Sequence, residues 1–171
     1  TAIGEAEAIE IIQKSPYRVE PKCIHFGVCG GCKWQNLSYQ KQLDFKQEEV
    51  YNNIKRIGGI ENFETLPILG SEQEYFYRNK MEFSFSNARW LTQYEISSEE
   101  NFGNKDALGF HIPGMWSKIL DLQECFLQES PSNEIRLAVR NYAIENGLDF
   151  FDVRNQEGFL RTLMLRQNSK G

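Results

Sequence analysis

Histidine is scarce in this chain, with two residues in 171. A nucleophile activated by an imidazole base needs a histidine set beside Ser or Cys and an orienting carboxylate. His25 and His111 stand in no such context. No glycine-rich loop follows a strand-like run, so the fingerprint of a nucleotide-binding fold is missing. Long hydrophobic runs are lacking too, as is a secretory signal pattern. The expectation is no membrane partner and a cytoplasmic setting. There cysteines serve as ligands or thiols rather than disulfides. A basic excess is also absent: the net charge is −5, which argues against non-specific nucleic-acid binding by total charge. Carboxylates are many, but none is singled out as a pair. The chain carries no catalytic apparatus that its own residues reveal.

Cysteine is sparse as well, with four residues, but they are not scattered. Cys23, Cys29 and Cys32 crowd into one loop, and Cys125 follows far downstream. Four thiolates are what a tetrahedral metal ion or a cubane iron–sulfur cluster requires. A chain of this length buries a real core, so a metal need not compensate for small size. Unrelated buried thiols are a poor explanation for three cysteines within ten residues. Zinc knuckles come in pairs, whereas only Cys29 and Cys32 are paired here; spacing alone leaves zinc and [4Fe–4S] even. His25 is a conceivable substitute ligand, but four cysteines already complete a set.

The apolar fraction of 40% and aromatic fraction of 13% fit an ordinary globular protein. Residues 5–13 alternate acidic and apolar, as a half-exposed strand does. Pro16 and Pro21 mark a linker, and the cysteine loop runs from Pro21 to about Trp34, with Gly27, Gly30 and Gly31 to turn it. Ser38 is a candidate N-cap. Leu43, Val50, Ile54 and Ile57 then recur at helical spacing until Gly58-Gly59. From Tyr75 the period becomes two. Strands are expected through Met81–Phe85, over 89–96, and over 107–112 and 117–122 across the Pro113-Gly114 turn. Residues 97–106 read as a polar hairpin connection. A helix is expected from Ser132 to Asn146, and a last strand pair over 149–153 and 159–166. Short connections imply an antiparallel sheet. The fold class is therefore α+β, an antiparallel sheet flanked by two helices with the cysteine loop near the N-terminus.

Arg78 and Lys80 border the aromatic run Tyr75, Phe76, Tyr77 and Phe83. Lys118 lies near Trp116, and Arg161 and Arg166 decorate the last strand. Such cations contact phosphates and exposed aromatics stack unpaired bases. On composition alone the plainer account, a solvated sheet face over an aromatic core, leads.

Taken in order, these motifs resemble a known family. The run from Pro21 and Cys23 through Cys29-Gly30-Gly31-Cys32 and Trp34-Gln35-Asn36-Leu37-Ser38-Tyr39 to Gln42-Leu43 is similar to the cluster loop of the RNA uracil-5-methyltransferases. This family includes bacterial 23S rRNA and tRNA enzymes. Tyr77-Arg78-Asn79-Lys80, then Leu108-Gly109-Phe110 with Asp121 and Cys125, and Leu160-Arg161 with Leu163-Met164-Leu165-Arg166 resemble its later motifs. The resemblance implies a [4Fe–4S] cluster on Cys23, Cys29, Cys32 and Cys125, structural rather than redox. It implies RNA as partner, ribosomal ahead of transfer RNA, and RNA contacts from Arg78, Lys80, Lys118, Arg161 and Arg166. It further implies that residues 1–15 end a truncated TRAM (OB-like) domain and that 16–37 and 67–171 form the central cluster domain. The helical segment 38–66 would pack on a methyltransferase domain in cis, lying outside this chain, that binds S-adenosylmethionine and carries the catalytic residues. On that reading the chain is an inactive fragment. A self-standing zinc-binding interaction domain is the alternative.

Overall fold

The computed structural model describes residues 4, 6, 8–98 and 103–168. These fall into two compact units. One takes residues 1–20 and 34–70; the other takes 21–33 and 71–171.

In the first unit, helix α1 spans Tyr39–Asn52 and runs on through a π-helical turn, Asn53–Ile57. Ser38 occupies the N-cap position, but its hydroxyl makes no capping bond. The Gln42 amide instead donates to the Leu37 and Trp34 carbonyls, at 2.8 and 3.1 Å. The helix ends as its glycines dictate: Gly58 N–H donates to Asn53 O, and Gly59 turns at φ +65°. Tyr51 packs on Phe63, with ring centroids 5.2 Å apart. No residue of α1 is buried, and Val50 and Ile57 on its apolar stripe are 54% and 83% exposed. The strand expected over residues 5–13 does not form among the described residues, which are exposed and irregular there; Glu5 and Glu7 lie outside them. A lone strand has no ladder partner to take its backbone bonds.

The second unit is built on a four-stranded sheet in the order β3-β2-β1-β4. Strand β1 is Lys80–Ser86, β2 Ala107–Ile112, β3 Met115–Asp121 and β4 Thr162–Arg166. Every pairing is antiparallel. Alternation in β1 sends Met81, Phe83 and Phe85 inward and leaves Lys80 and Glu82 outside. The inward set packs with Leu108, Leu120, Leu122, Leu127, Ala143 and Phe150. Each fully buried Phe or Leu contributes about 1.5–3 kcal/mol. Helix α3, Ser132–Glu145, contributes its buried stripe of Ser132, Arg136 and Ala143. The α+β class and the antiparallel sheet are as the periodicities predict.

Two expectations differ. Residues 89–96 do not form a strand: Gln93–Ser97 is a short helix, α2. Its cause is a capping box. Thr92 Oγ1 accepts the Glu95 N–H at 3.2 Å, and the Glu95 carboxylate accepts the Thr92 N–H at 2.8 Å. With that segment out of the sheet, β1 pairs directly with β2, Ser86 opposite Ala107. The expected strand pair 149–153 and 159–166 reduces to single bridges, Phe150 to Leu160 and Asp152 to Glu157. β4 pairs with β1 instead, where its Leu163 and Leu165 reach the core. Part of the expected 97–106 connection, residues 99–102, lies outside the described residues.

Candidate cluster site and nucleic-acid face

The cysteine loop and Cys125 belong to the same unit; two contacts clip them together and a third ties the loop to β2. Lys22, next to Cys23, sets its ammonium 4.6 Å from the Phe126 ring, next to Cys125, and 5.0 and 4.8 Å from Tyr75 and Phe76. His25 Nε2 accepts the Gln123 N–H at 3.0 Å. Gly30 N–H donates to the His111 carbonyl at 3.1 Å. A Cβ on Gly30 would sit 2.5 Å from that same oxygen, so only glycine allows this approach. The backbone of the loop is itself bonded, with Cys29 N–H donating to His25 O at 2.8 Å.

Helix α3 secures the Cys125 segment from the other side. Asn133 brackets Cys125, accepting its N–H at 2.9 Å and donating to its carbonyl at 3.0 Å. Arg136 donates to the carbonyls of Leu122 and, at 3.1 Å, Gln123. Its guanidinium also lies over Phe83. Asp121, by contrast, is taken by Arg140 at 2.6 Å. The functional weight of His25, Asn133 and Arg136 escaped the sequence reading. Asn133 and Arg136 share an i, i+3 helical face, but nothing in their spacing names the loop they hold.

All four cysteines remain thiols, half-buried, and they feel one another. Burial pushes the Cys29 thiol up to about 11; Gly31 N–H, 3.3 Å from its sulfur, opposes this, and charge on Cys32, Cys125 and Cys23 adds to it. Burial likewise raises Cys125, with Cys32 and Cys23 adding and Arg136 opposing. Cys23 is raised by burial and then by Cys32 and Glu124. Four thiolates collected here repel unless a cation compensates them, which is what a metal centre supplies. Among the described residues no three His, Cys, Asp or Glu side chains gather as the ligands of one ion.

Arg136 tests the fit of an anionic centre. It is 0% exposed, makes no ion pair with a carboxylate among the described residues, and keeps its Nε without a partner. Burial pulls its guanidinium down; charge on Cys125 and on Asp121 favours the charged form, and Arg140 opposes it. A buried cation beside Cys125 is compatible with a negatively charged group there. The donor set and this counter-charge fit a [4Fe–4S] group.

The five cations expected at RNA are distributed unequally. Lys80 and Arg166 are directly opposed across β1 and β4 on the exposed face. Like charges so placed repel, and the 2.9 Å pairing of Lys80 with Glu82 relieves this only in part. Arg78 is exposed just before β1, its N–H held by Leu127 O at 2.8 Å. Arg161 is exposed and stacked 4.7 Å from the Phe151 ring centroid. Lys118 is half-buried on β3, two strands away from β1.

This fold has a counterpart among RNA-modifying enzymes. It matches the Pyrococcus abyssi tRNA (uracil-54, C5)-methyltransferase, solved with S-adenosyl-L-homocysteine, at TM-score 0.60 and 27% identity, over 94% of this chain and 31% of that one. An uncharacterized RNA methyltransferase of Bacteroides thetaiotaomicron is 51% identical over 168 residues, 98% of this chain and 37% of that protein. Uncharacterized RNA methyltransferases of Porphyromonas gingivalis and Chlorobaculum tepidum are 48% and 46% identical. They are matched over 98% and 97% of this chain and 37% and 35% of their own lengths. No sequence-family profile matches. The chain belongs to the RNA methyltransferase family, as its motifs imply. It spans little more than a third of the length of these curated relatives. Among the described residues no helix is long and apolar enough to cross a membrane.

Proposed function

We propose that this chain is the RNA-gripping, cluster-bearing part of an S-adenosylmethionine-dependent enzyme that methylates C5 of a uridine in cytoplasmic RNA, ribosomal RNA ahead of transfer RNA. The observation that carries the reading is the tie between the loop of Cys23, Cys29 and Cys32 and the Cys125 segment, made by His25 to Gln123 and Lys22 to Phe126, beside the buried Arg136. Those four cysteines would hold a [4Fe–4S] cluster. When bound, it supplies a covalent tie between the loop and the β3–α3 segment, not electrons, because methyl transfer to an activated uracil needs no redox step.

The chain's own residues bind and orient. Reaction at C5 requires access to both faces of the base, so the target must leave its stack. Lys80, Arg166, Arg78 and Arg161 offer charges to the phosphates of the opened strand. Lys118 would contribute from the far edge of the sheet. Residues that attack C6 and remove the C5 proton, and those that hold S-adenosylmethionine, would come from a methyltransferase domain in cis, and the exposed stripe of α1 is offered to it. By itself the chain is proposed to be inactive.

Iron and acid-labile sulfide measured on protein purified without oxygen test the reading. About four of each per chain are expected. One zinc without sulfide would replace it with a zinc-binding interaction domain. Competition between 23S rRNA and tRNA transcripts for the full-length enzyme would decide the substrate class.

A further inference from the structure

One face of the sheet carries a hollow of about 220 Å³ that the cluster and the paired cations do not explain. It is lined by Ser84 of β1, His111 of β2, Trp116 of β3, Thr162 of β4, and Phe151 and Arg161 before β4. Four features define what it can take. Its lining contains no carboxylate. Trp116 is 65% exposed, a large apolar plane left in water. Arg161 is held over Phe151, so its planar fork is oriented before anything binds. Ser84, Thr162 and His111 add hydroxyl and imidazole groups that both donate and accept.

We propose that this hollow is a binding pocket for one unstacked base of single-stranded RNA. Trp116 stacks the base, Arg161 contacts its phosphate, and the polar side chains meet its edge. Pockets for drug-sized ligands run to roughly 300–1,000 Å³; this one suits a single planar ring system. The strand path is continuous with the cation pair. Lys80 and Arg166, then Glu82 and Met164, then Ser84 and Thr162 are successive cross-strand pairs on one face. Lys80 and Ser84 are four strand residues, roughly 13 Å, apart. A phosphate at the cation pair and a base in the hollow are therefore within reach of one short unstacked stretch.

This inference rests on the proposed RNA-gripping role, and the experiment separates the two. A short mixed-sequence single-stranded RNA and a fully paired hairpin, each carrying a fluorescent end label, are titrated with the chain, purified without oxygen, and label anisotropy is followed at low salt. The single-stranded RNA is expected to bind more tightly than the hairpin. Trp116→Ala is expected to weaken single-strand binding about 5- to 100-fold. Trp116→Phe, which keeps a stacking plane, should retain most of it, and Arg161→Gln should fall between them. If Trp116→Ala and Arg161→Gln bind within twofold of the parent while Lys80→Glu and Arg166→Glu bind weakly, the pocket is wrong and the RNA face stands. If the parent chain binds neither RNA, both ideas fall.

Discussion

His25 Nε2 accepts the backbone N–H of Gln123 at 3.0 Å, joining residues 98 positions apart. One side chain thus sets the cysteine loop against the segment that delivers Cys125. His25→Ala would leave that N–H without its acceptor, at a cost of about 1–3 kcal/mol if it stays dry. Iron and sulfide per chain are expected to fall, with partial recovery in His25→Gln, whose amide oxygen can accept. Loading equal to the parent in His25→Ala would refute a positioning role.

The proposed cluster would place negative charge beside the buried guanidinium of Arg136. Arg136→Met strips the Leu122 and Gln123 carbonyls of their donor, so denaturant midpoints should fall in any state, by about 1–3 kcal/mol for each carbonyl left dry. The fall should be larger for the cluster-loaded chain than for the chain freed of metal, because only the loaded chain presents its negative charge. Equal losses in the two states would remove the counter-charge argument and leave a packing role.

Arg166→Glu should cancel the net charge of the exposed cation pair. In the full-length enzyme this is expected to weaken RNA binding similarly across sequences and to lower the log–log salt slope by about 1 or more. An unchanged affinity and slope would place the phosphate path elsewhere.

Gly109 sits where a Cβ would run into the Leu120 carbonyl oxygen and crowd the Leu122 side chain at 2.9 Å. Gly109→Ala must push β2 off β3 and is expected to cost about 1–3 kcal/mol. Thermal unfolding reads the loss. The register it protects, Gly109 opposite Asp121, leads directly into the Cys125 segment.

Glu95 provides a pH test. Its carboxyl is held below the ordinary 4.5, first by the Thr92 N–H and further by Arg89, 2.8 Å away. A depressed carboxyl stabilises the fold above its unfolded pKa, and that contribution is lost as pH falls through the lower folded value. Glu95→Gln should therefore lower the denaturant midpoint near neutrality and narrow the gap from the parent below pH 4.5. A gap that stays constant across this range would mean the charge is not what Glu95 contributes.

The sequence by itself determined much of this. Period-two alternation in Met81–Phe85, the Pro113-Gly114 turn and the stripe from Ser132 are local patterns, and each produced its element. The cysteine spacing and the ordered motifs identified the family, because ligand loops are written in consecutive residues. Tertiary structure decided what local patterns cannot carry. Residues 89–96 look strand-like until the Thr92–Glu95 box closes a helix turn. β4 leaves the expected hairpin and pairs with β1, where Leu163 and Leu165 pack against the core. His25, Gly30 and Arg136 acquire their roles only when folding brings Gln123, His111 and Leu122 to them. Hydrogen bonds and buried charge act over a few ångströms of space, and sequence distance does not record that proximity.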